Sequence, residues 1–366
     1  MKFIINRDQL LTPLQHIVSV IEKRQTMPIL SNVLINANEN QLVLTGTDLE
    51  IQVVAKIDLN ADQPGSVTVP ARKFLDICRL LPNEAEIKFE QKEDKVKVTS
   101  GRGRFSLTTL PAENYPEFTE SEFDNTFVIN AGKLKKALDK TIFCMANQDV
   151  RYYLNGLLLH VSNSRLKLVA SDGHRLSIYD DDIGEATGYE SRIIVPRKGV
   201  QELSRLLDDS DAEATIQFSN NNIRIFYKDL IFSAKLVDAK YPDFSRVFDQ
   251  PFHNPVLIQK QLLKEALTRV SVLSNEKFKG VTLDISDNLM KISTHNPEYD
   301  EAEEELVMQY QGESLSISFN SQYMLDAVSN LDSEMAVMTF ASNASSCFIE
   351  EPDQSLFKFI VMPMRL

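Results

Sequence analysis

The sequence predicts an α+β protein made of three tandem copies of one domain, each with two helices packed on antiparallel sheets. Three observations carry that prediction. The chain repeats itself, weakly but in register, at about 125 residues. Each copy alternates amphipathic helical patterns with short period-two runs such as Lys95-Val96-Lys97-Val98. One polar turn recurs at Asp48, Asp172 and Asn296, each 124 residues after the last. At 366 residues the chain also exceeds one ordinary domain.

The elements follow in the same order in each copy. Each opens with an apolar strand and a helix, from Phe3 ("FIINRDQLLTPLQHIVSVI"), Phe127 ("FVINAGKLKKALDKTIFCM") and Pro255 ("PVLIQKQLLKEALTRVSVLS"). Two strands around the polar turn come next, for example "LKLVASDGHRLSIYDDDI". A second strand and helix follow in "VTVPARKFLDICRLLP", "IIVPRKGVQELSRLLD" and "LSISFNSQYMLDAVSNLD". Pro70 and Pro196 stand at the start of the first two of these helices, where a missing N–H costs little. A strand closes each copy. Boundaries fall in "TESEFDNT" and "DQPFHNP", giving domains 1–125, 126–252 and 253–366.

Composition is that of a soluble globular protein, with 43% hydrophobic and 25% charged residues. No run of about 18 apolar residues suggests a membrane span. Cys78, Cys144 and Cys347 stand far apart without a CxxC, which fits a reducing compartment and a cytoplasmic protein. The net charge of −13 argues against nucleic acid until its distribution is examined. The helical stretches 7–24, 71–81, 133–140, 197–207, 259–269 and 320–331 together carry +9, which leaves −22 for the rest. Within them Lys133, Lys136 and Lys140 form one stripe, with Leu134, Ala137 and Leu138 on the other side. Arg72 and Arg79 are seven residues apart, as are Lys198 and Arg205. One basic helix face is ordinary solvated surface; five of six sharing the sign suggest a positive lane suited to phosphates. The lane has few aromatics for base stacking and no recognition-helix pattern.

No catalytic set emerges. GxxxxGK[ST] and GxSxG are absent, and the GxG of "SGRGRFS" reads as a hairpin turn. Asp172 and His174 in "SDGHR" would be the acid–base or metal pair of a hydrolase, but the matching turns "TDLE" and "HNPE" share no such chemistry. No cofactor or metal is expected. The acidic run from Glu298 to Glu305 reads as a solvated edge or half of a charged interface. A scaffold binding acidic proteins through its basic helices is the alternative to a DNA-binding role.

Over its whole length the sequence resembles the bacterial sliding clamps, the beta subunits of DNA polymerase III. The most specific stretches are "LTGTDLE", "VPARKF", "SGRGRFSL", "QDVRYYLNG", "DGHRL", "VPRKGV", "LSNEKFKGV" and "VMPMRL". The resemblance implies three clamp domains per chain and a head-to-tail homodimer closed into a six-domain ring, with helices lining the hole and sheets outside. It implies a non-catalytic processivity factor that encircles double-stranded DNA. The implied partners are the polymerase III catalytic subunit, the clamp-loader complex, and other polymerases and repair proteins bearing a clamp-binding motif.

By the same resemblance, Arg24 and Gln148 match DNA-contacting positions, and Arg72, Arg79, Lys133, Lys136, Lys140, Arg197, Lys198 and Arg205 line the hole. A peptide pocket would use Arg151, Leu154, Ser171, Gly173, His174, Arg175, Leu176, Pro242, Arg246, Val247, Phe278, Asn320, Tyr323, Ser346 and the tail Val361, Met362, Pro363, Met364, Arg365 and Leu366. Ser171 stands where the family commonly has Thr, and Ala344 where it has a larger aliphatic residue. At the dimer interface Phe105 and Leu107 would meet Val272 and Leu273, while Lys73, Arg102 and Arg104 would face Glu298, Glu301, Glu303 and Glu304.

Overall fold

Six helices stand among the described residues of the computed structural model, and each begins where a strand runs out. The model describes every residue except 23–26, 119–121, 250, 343–345, 354–355 and 366. The helices are α1 (Arg7–Val20), α2 (Ala71–Leu80), α3 (Ala131–Asp139), α4 (Arg197–Leu206), α5 (Lys260–Ser271) and α6 (Ser321–Ser329).

An asparagine at the strand end starts three of them. The Asn6 side chain accepts the Asp8 N–H at 2.8 Å, and Asn130 accepts the Lys133 N–H at 3.0 Å. Asn320 accepts from Gln322 and Tyr323. Each such cap contributes about 1 kcal/mol by satisfying otherwise orphaned donors. Pro70 and Pro196 end their strands and directly precede α2 and α4. Helix α1 is shorter than the pattern over 7–24, because Ile21 is already extended.

The chain forms two compact units, Met1–Lys136 with Lys198–Asp238, and Ala137–Arg197 with Ala239–Leu366. The division runs through the central repeat. In the first unit an eight-stranded antiparallel sheet has the order 65–70, 32–37, 41–47, 51–58, 230–235, 222–227, 213–218, 125–130. Four strands come from the first repeat and four from the second, joined where Val53 pairs with Phe232. A four-stranded sheet, 2–6, 86–92, 95–100, 103–108, completes this unit.

The second unit repeats the plan. Its eight-stranded sheet runs 190–196, 156–162, 165–171, 175–182, 357–361, 347–350, 335–340, 256–259, joined where Ser177 pairs with Phe359. Its four-stranded sheet runs 301–307, 289–295, 280–286, 315–320.

Alternation sets the core. In Ile51–Asp58 every second residue is buried, and burying each such aliphatic side chain is worth roughly 1.5–3 kcal/mol. Helices α1 and α2 pack together, as do α5 and α6, each burying its apolar stripe. Among the described residues no helix is long and apolar enough to cross a membrane.

Candidate functional site

The basic helix faces hold in part. On α3, Lys133 and Lys136 are exposed while Leu134, Ala137 and Leu138 are buried. On α2, Arg72, Lys73 and Arg79 are exposed above buried Phe74, Leu75 and Cys78. Arg205 is exposed on α4 and pairs with the buried Glu202 carboxylate. Gln148 is exposed in a left-handed conformation, φ 57°. Arg24 lies outside the described residues.

Lys140 is a correction. Helix α3 ends at Asp139, so the stripe stops short of it. Its side chain is only 9% exposed, bonds the Asn330 carbonyl and the Asp332 carboxylate (2.6 Å), and lies over the Phe357 ring. An ammonium so enclosed packs the second unit and offers little to a phosphate. Lys198 is half-exposed and bound to Glu22 at 2.6 Å and to Asp48. Burial pulls its pKa down most strongly, but Asp48 and then Glu22 together outweigh it and hold the pKa above the ordinary lysine value.

The recurring polar turn is one backbone device at Asp48 and Asp172 and a wider variant of it at Asn296. Asp48 Oδ1 accepts the N–H groups of Glu50 and Ile51; Asp172 Oδ1 accepts those of His174 and Arg175; Asn296 Oδ1 accepts those of Glu298 and Asp300. Leu49 and Gly173, directly after the aspartates, are left-handed with φ of 78° and 87°, whereas in the third turn the left-handed residue is Tyr299, three after Asn296, with φ of 70°. This commits Asp172 to its turn, and its second oxygen bonds Arg175 at 3.0 Å. The His174 ring lies 6.5 Å from that of Tyr323, centre to centre, and both Asp172 oxygens are already taken by the turn and by Arg175.

Around the second turn lies a cleft of about 420 Å³. It gathers Arg151, Leu154, Ser171, Gly173, Arg175, Leu176, Pro242, Arg246, Val247 and Met362 from the expected set. Leu158, Val169 and Ile178 form a buried cluster beneath, with Leu176, Tyr241 and Phe244 packed on it. Arg175 organises one wall: it bonds the Phe143 carbonyl at 2.7 Å and the Asp326 carboxylate, and lies 4.4 Å from the Tyr323 ring centre. Arg151 organises another, bonding Asp149 through Nε (2.9 Å) and Nη2 (2.8 Å) and the Asp172 carbonyl at 3.0 Å. A Cβ at Gly173 would stand 2.6 Å from that guanidinium, so the glycine makes room for it.

The other expected residues sit differently. Asn320 donates to the Phe278 carbonyl, and Phe278 is exposed. The Met362 N–H donates to the His174 carbonyl and the Met364 N–H to that of Ser318, which fixes the tail across the turn. Ser346 and Val361 are buried, Pro363 is partly buried and Arg365 is exposed. Ala344 and Leu366 lie outside the described residues. Tyr153, Tyr241, Asp243, Phe244 and Ile360 also line the cleft and were not anticipated. Tyr241 and Phe244 had a sequence signal, since "YPDF" repeats the "YPEF" of Tyr115 to Phe118.

Each four-stranded sheet ends on a strand with one ladder partner, and the two ends differ in charge. The strand Gly103–Thr108 exposes Arg104, follows the exposed Arg102, and leaves Phe105 half-buried. Leu107 departs from expectation, being only 6% exposed and part of the core. The strand Glu301–Val307 exposes Glu301 and Glu303, with Glu298 just before it and exposed Val272 at the end of α5. Leu273 is partly buried. Glu304 is already bound bidentately by Arg269 and Glu303 by Lys291, so this acidic edge is partly neutralised within the chain.

Three family models match in succession. They are the N-terminal, central and C-terminal domains of the DNA polymerase III beta subunit, over residues 1–119, 128–243 and 245–365. The chain is 44% identical to the beta sliding clamps of Pseudomonas aeruginosa and Escherichia coli K12, covering all of both chains. Among solved structures it is similar to the Pseudomonas aeruginosa clamp bound to griselimycin (TM-score 0.97, 44% identity, full coverage of both). It is also similar to the Bacillus subtilis clamp (TM-score 0.95, 27% identity, covering all of this chain and 99% of that one).

Proposed function

The chain belongs to the DNA polymerase III beta subunit family, and from that membership we propose that it works as a sliding clamp, a non-catalytic ring that encircles duplex DNA and tethers the replicative polymerase. Residues 1–125, 126–252 and 253–366 are its three clamp domains. Two chains join head to tail into a six-domain ring in the cytoplasm. Lys133, Lys136, Arg79 and Arg205 face the phosphates, whose neutralisation is independent of sequence and so lets the ring slide. The cleft around Gly173 and Arg175 captures a short segment of the polymerase catalytic subunit, the clamp loader, or other polymerases and repair proteins.

One observation carries the ring. Where repeats adjoin within the chain, four strands from each make an eight-stranded sheet, while the two outer repeats each keep a four-stranded sheet with an open edge. Open edges invite pairing, and these two are unlike, one basic and one acidic. An unlike pair makes a heterologous contact, which closes into a ring when the rotation permits.

Charge reversal tests the reading. Arg104→Glu should shift sedimentation toward single chains and reduce retention on circular DNA, and adding Glu301→Lys to the same chain should restore both. Dimers and DNA retention indifferent to either change would favour a scaffold that binds acidic proteins without encircling DNA.

A further inference from the structure

We infer that Arg197 is a positioning residue, which holds closed the loop carrying Gln148 and is not chiefly a phosphate ligand. The inference rests on the DNA-binding reading above and assigns a particular role within it.

Arg197 is the first residue of α4, beside the segment Ala146–Asn155 that follows the short 3₁₀ turn Ile142–Cys144. It grips both ends of that segment. Its backbone N–H donates to the Asn155 carbonyl at 2.9 Å. Its Nη1 donates to the carbonyls of Met145 (2.7 Å) and Ala146 (3.2 Å). Between these ends the loop is closed by its own bonds. The Ala146 N–H donates to the Leu154 carbonyl at 3.0 Å, the Asp149 N–H to Asn155 Oδ1 at 2.9 Å, and Asn155 Nδ2 to the Asp149 carbonyl at 2.8 Å.

At its tip the loop presents Gln148 at φ 57°, Val150 at 95% exposure and Tyr152 at 57%. A left-handed glutamine and an almost bare valine persist only where surrounding structure fixes the backbone. Arg197 supplies that constraint from a half-buried place, where burial, and then the neighbouring Arg175 charge, depress its pKa.

The first repeat uses the same device. Arg72, the second residue of α2, donates through Nη2 to the Ile21 carbonyl, where α1 ends, at 2.7 Å. Ile21 lies 124 residues before Met145. In the third repeat the first two residues of α6 are the buried Ser321, too short to reach out in this way, and Gln322, whose amide bonds Asp326 on its own helix at 2.8 Å. An arginine therefore stands within the first two helical residues in the two repeats whose loops carry the expected DNA contacts, at the second position of α2 and the first of α4, and no arginine stands there in α6.

The experiment uses the full-length protein with Arg197→Lys, Arg197→Met and, as a control for the lane, Lys136→Met. Lysine keeps the charge, but its side chain is one bond shorter, so its ammonium falls short of the two carbonyls that Nη1 reaches. Without DNA, hydrogen exchange at the Ala146 and Asp149 amides should speed up in both Arg197 variants. On a short linear duplex, where a ring is not trapped, both should bind about tenfold more weakly, the scale of losing a charged hydrogen bond. Arg197→Lys should leave the slope of log affinity against log salt unchanged, whereas Lys136→Met should lower it by about 0.9.

The proposal is overturned if Arg197→Lys matches wild type while Arg197→Met loses salt slope as Lys136→Met does. It is also overturned if Ala146 exchange is unchanged in Arg197→Met, whatever happens on DNA. Should Lys136→Met and both Arg197 variants leave affinity for the short linear duplex untouched while Ala146 exchange accelerates, the DNA reading fails and the loop-holding role stands.

Discussion

The turns at Asp48 and Asp172 share a backbone and differ in everything built on it. Both carboxylates accept the same two N–H groups, and both turns place a left-handed residue next. At Asp48 the remaining oxygen meets Lys198, and Leu49 fills the left-handed position. At Asp172 it meets Arg175, which continues to Asp326 and Tyr323, and Gly173 leaves room for Arg151. The sheet face differs as well. Val169 and Leu176 floor and flank the cleft, where the first repeat has Thr45 and Gln52 at the same spacing. The repeat supplies a frame, and a few side chains decide whether it closes as an ion pair or opens as a cleft.

The largest expected difference is electrostatic. Arg175→Met leaves the mostly buried Asp172 and Asp326 without their partner and should cost about 2–4 kcal/mol in urea unfolding. Lys198→Met orphans only one enclosed carboxylate, Asp48 (6% exposed), where Arg175→Met orphans two, and Lys198 itself is 36% exposed and screened, so the loss should be smaller, about 1–2 kcal/mol. Equal costs would break the comparison.

Gly173→Ala comes next. It forces a left-handed alanine, about 1–2 kcal/mol, and displaces Arg151. Peptide affinity measured by calorimetry should fall about tenfold or more, whereas Leu49→Ala should leave it unchanged.

A pH effect sharpens the contrast, because the Arg151 strut belongs only to the second turn. The Arg151 side chain, then its backbone N–H, depress the Asp149 pKa to about 2 from an ordinary 3.8. A depressed carboxylate contributes stability above its unfolded value and loses it as pH falls through the folded one. Asp149→Asn should therefore be less stable than wild type above pH 3.8, with the gap closing as pH falls toward 2. The smallest effect is Leu49→Gly. Relief of the left-handed backbone and added unfolded-chain freedom nearly cancel, so stability should change by under about 1 kcal/mol.

Much of this was legible in the sequence, for physical reasons. Identical spacing exposed the turn at Asp48, Asp172 and Asn296 because its hydrogen bonds are local. Helical period exposed the outward Lys133 and Lys136. Lys140 was misplaced because its partners Asn330 and Asp332 are about 190 residues away, and no local period reports such contacts. Period-two alternation fixed which strand faces are buried but not which strands are neighbours, so the join of 51–58 to 230–235 was invisible. The cleft residues came from family resemblance, because a groove depends on what a linker such as Tyr241–Val247 is laid against.

Encirclement is the claim on which the rest depends. The protein would be placed by a clamp-loader complex on a nicked circular plasmid, isolated in moderate salt, and the plasmid then cut once. A ring stays on the circles and runs off the linear DNA. Equal loss from both forms would show binding without topology and would contradict the account.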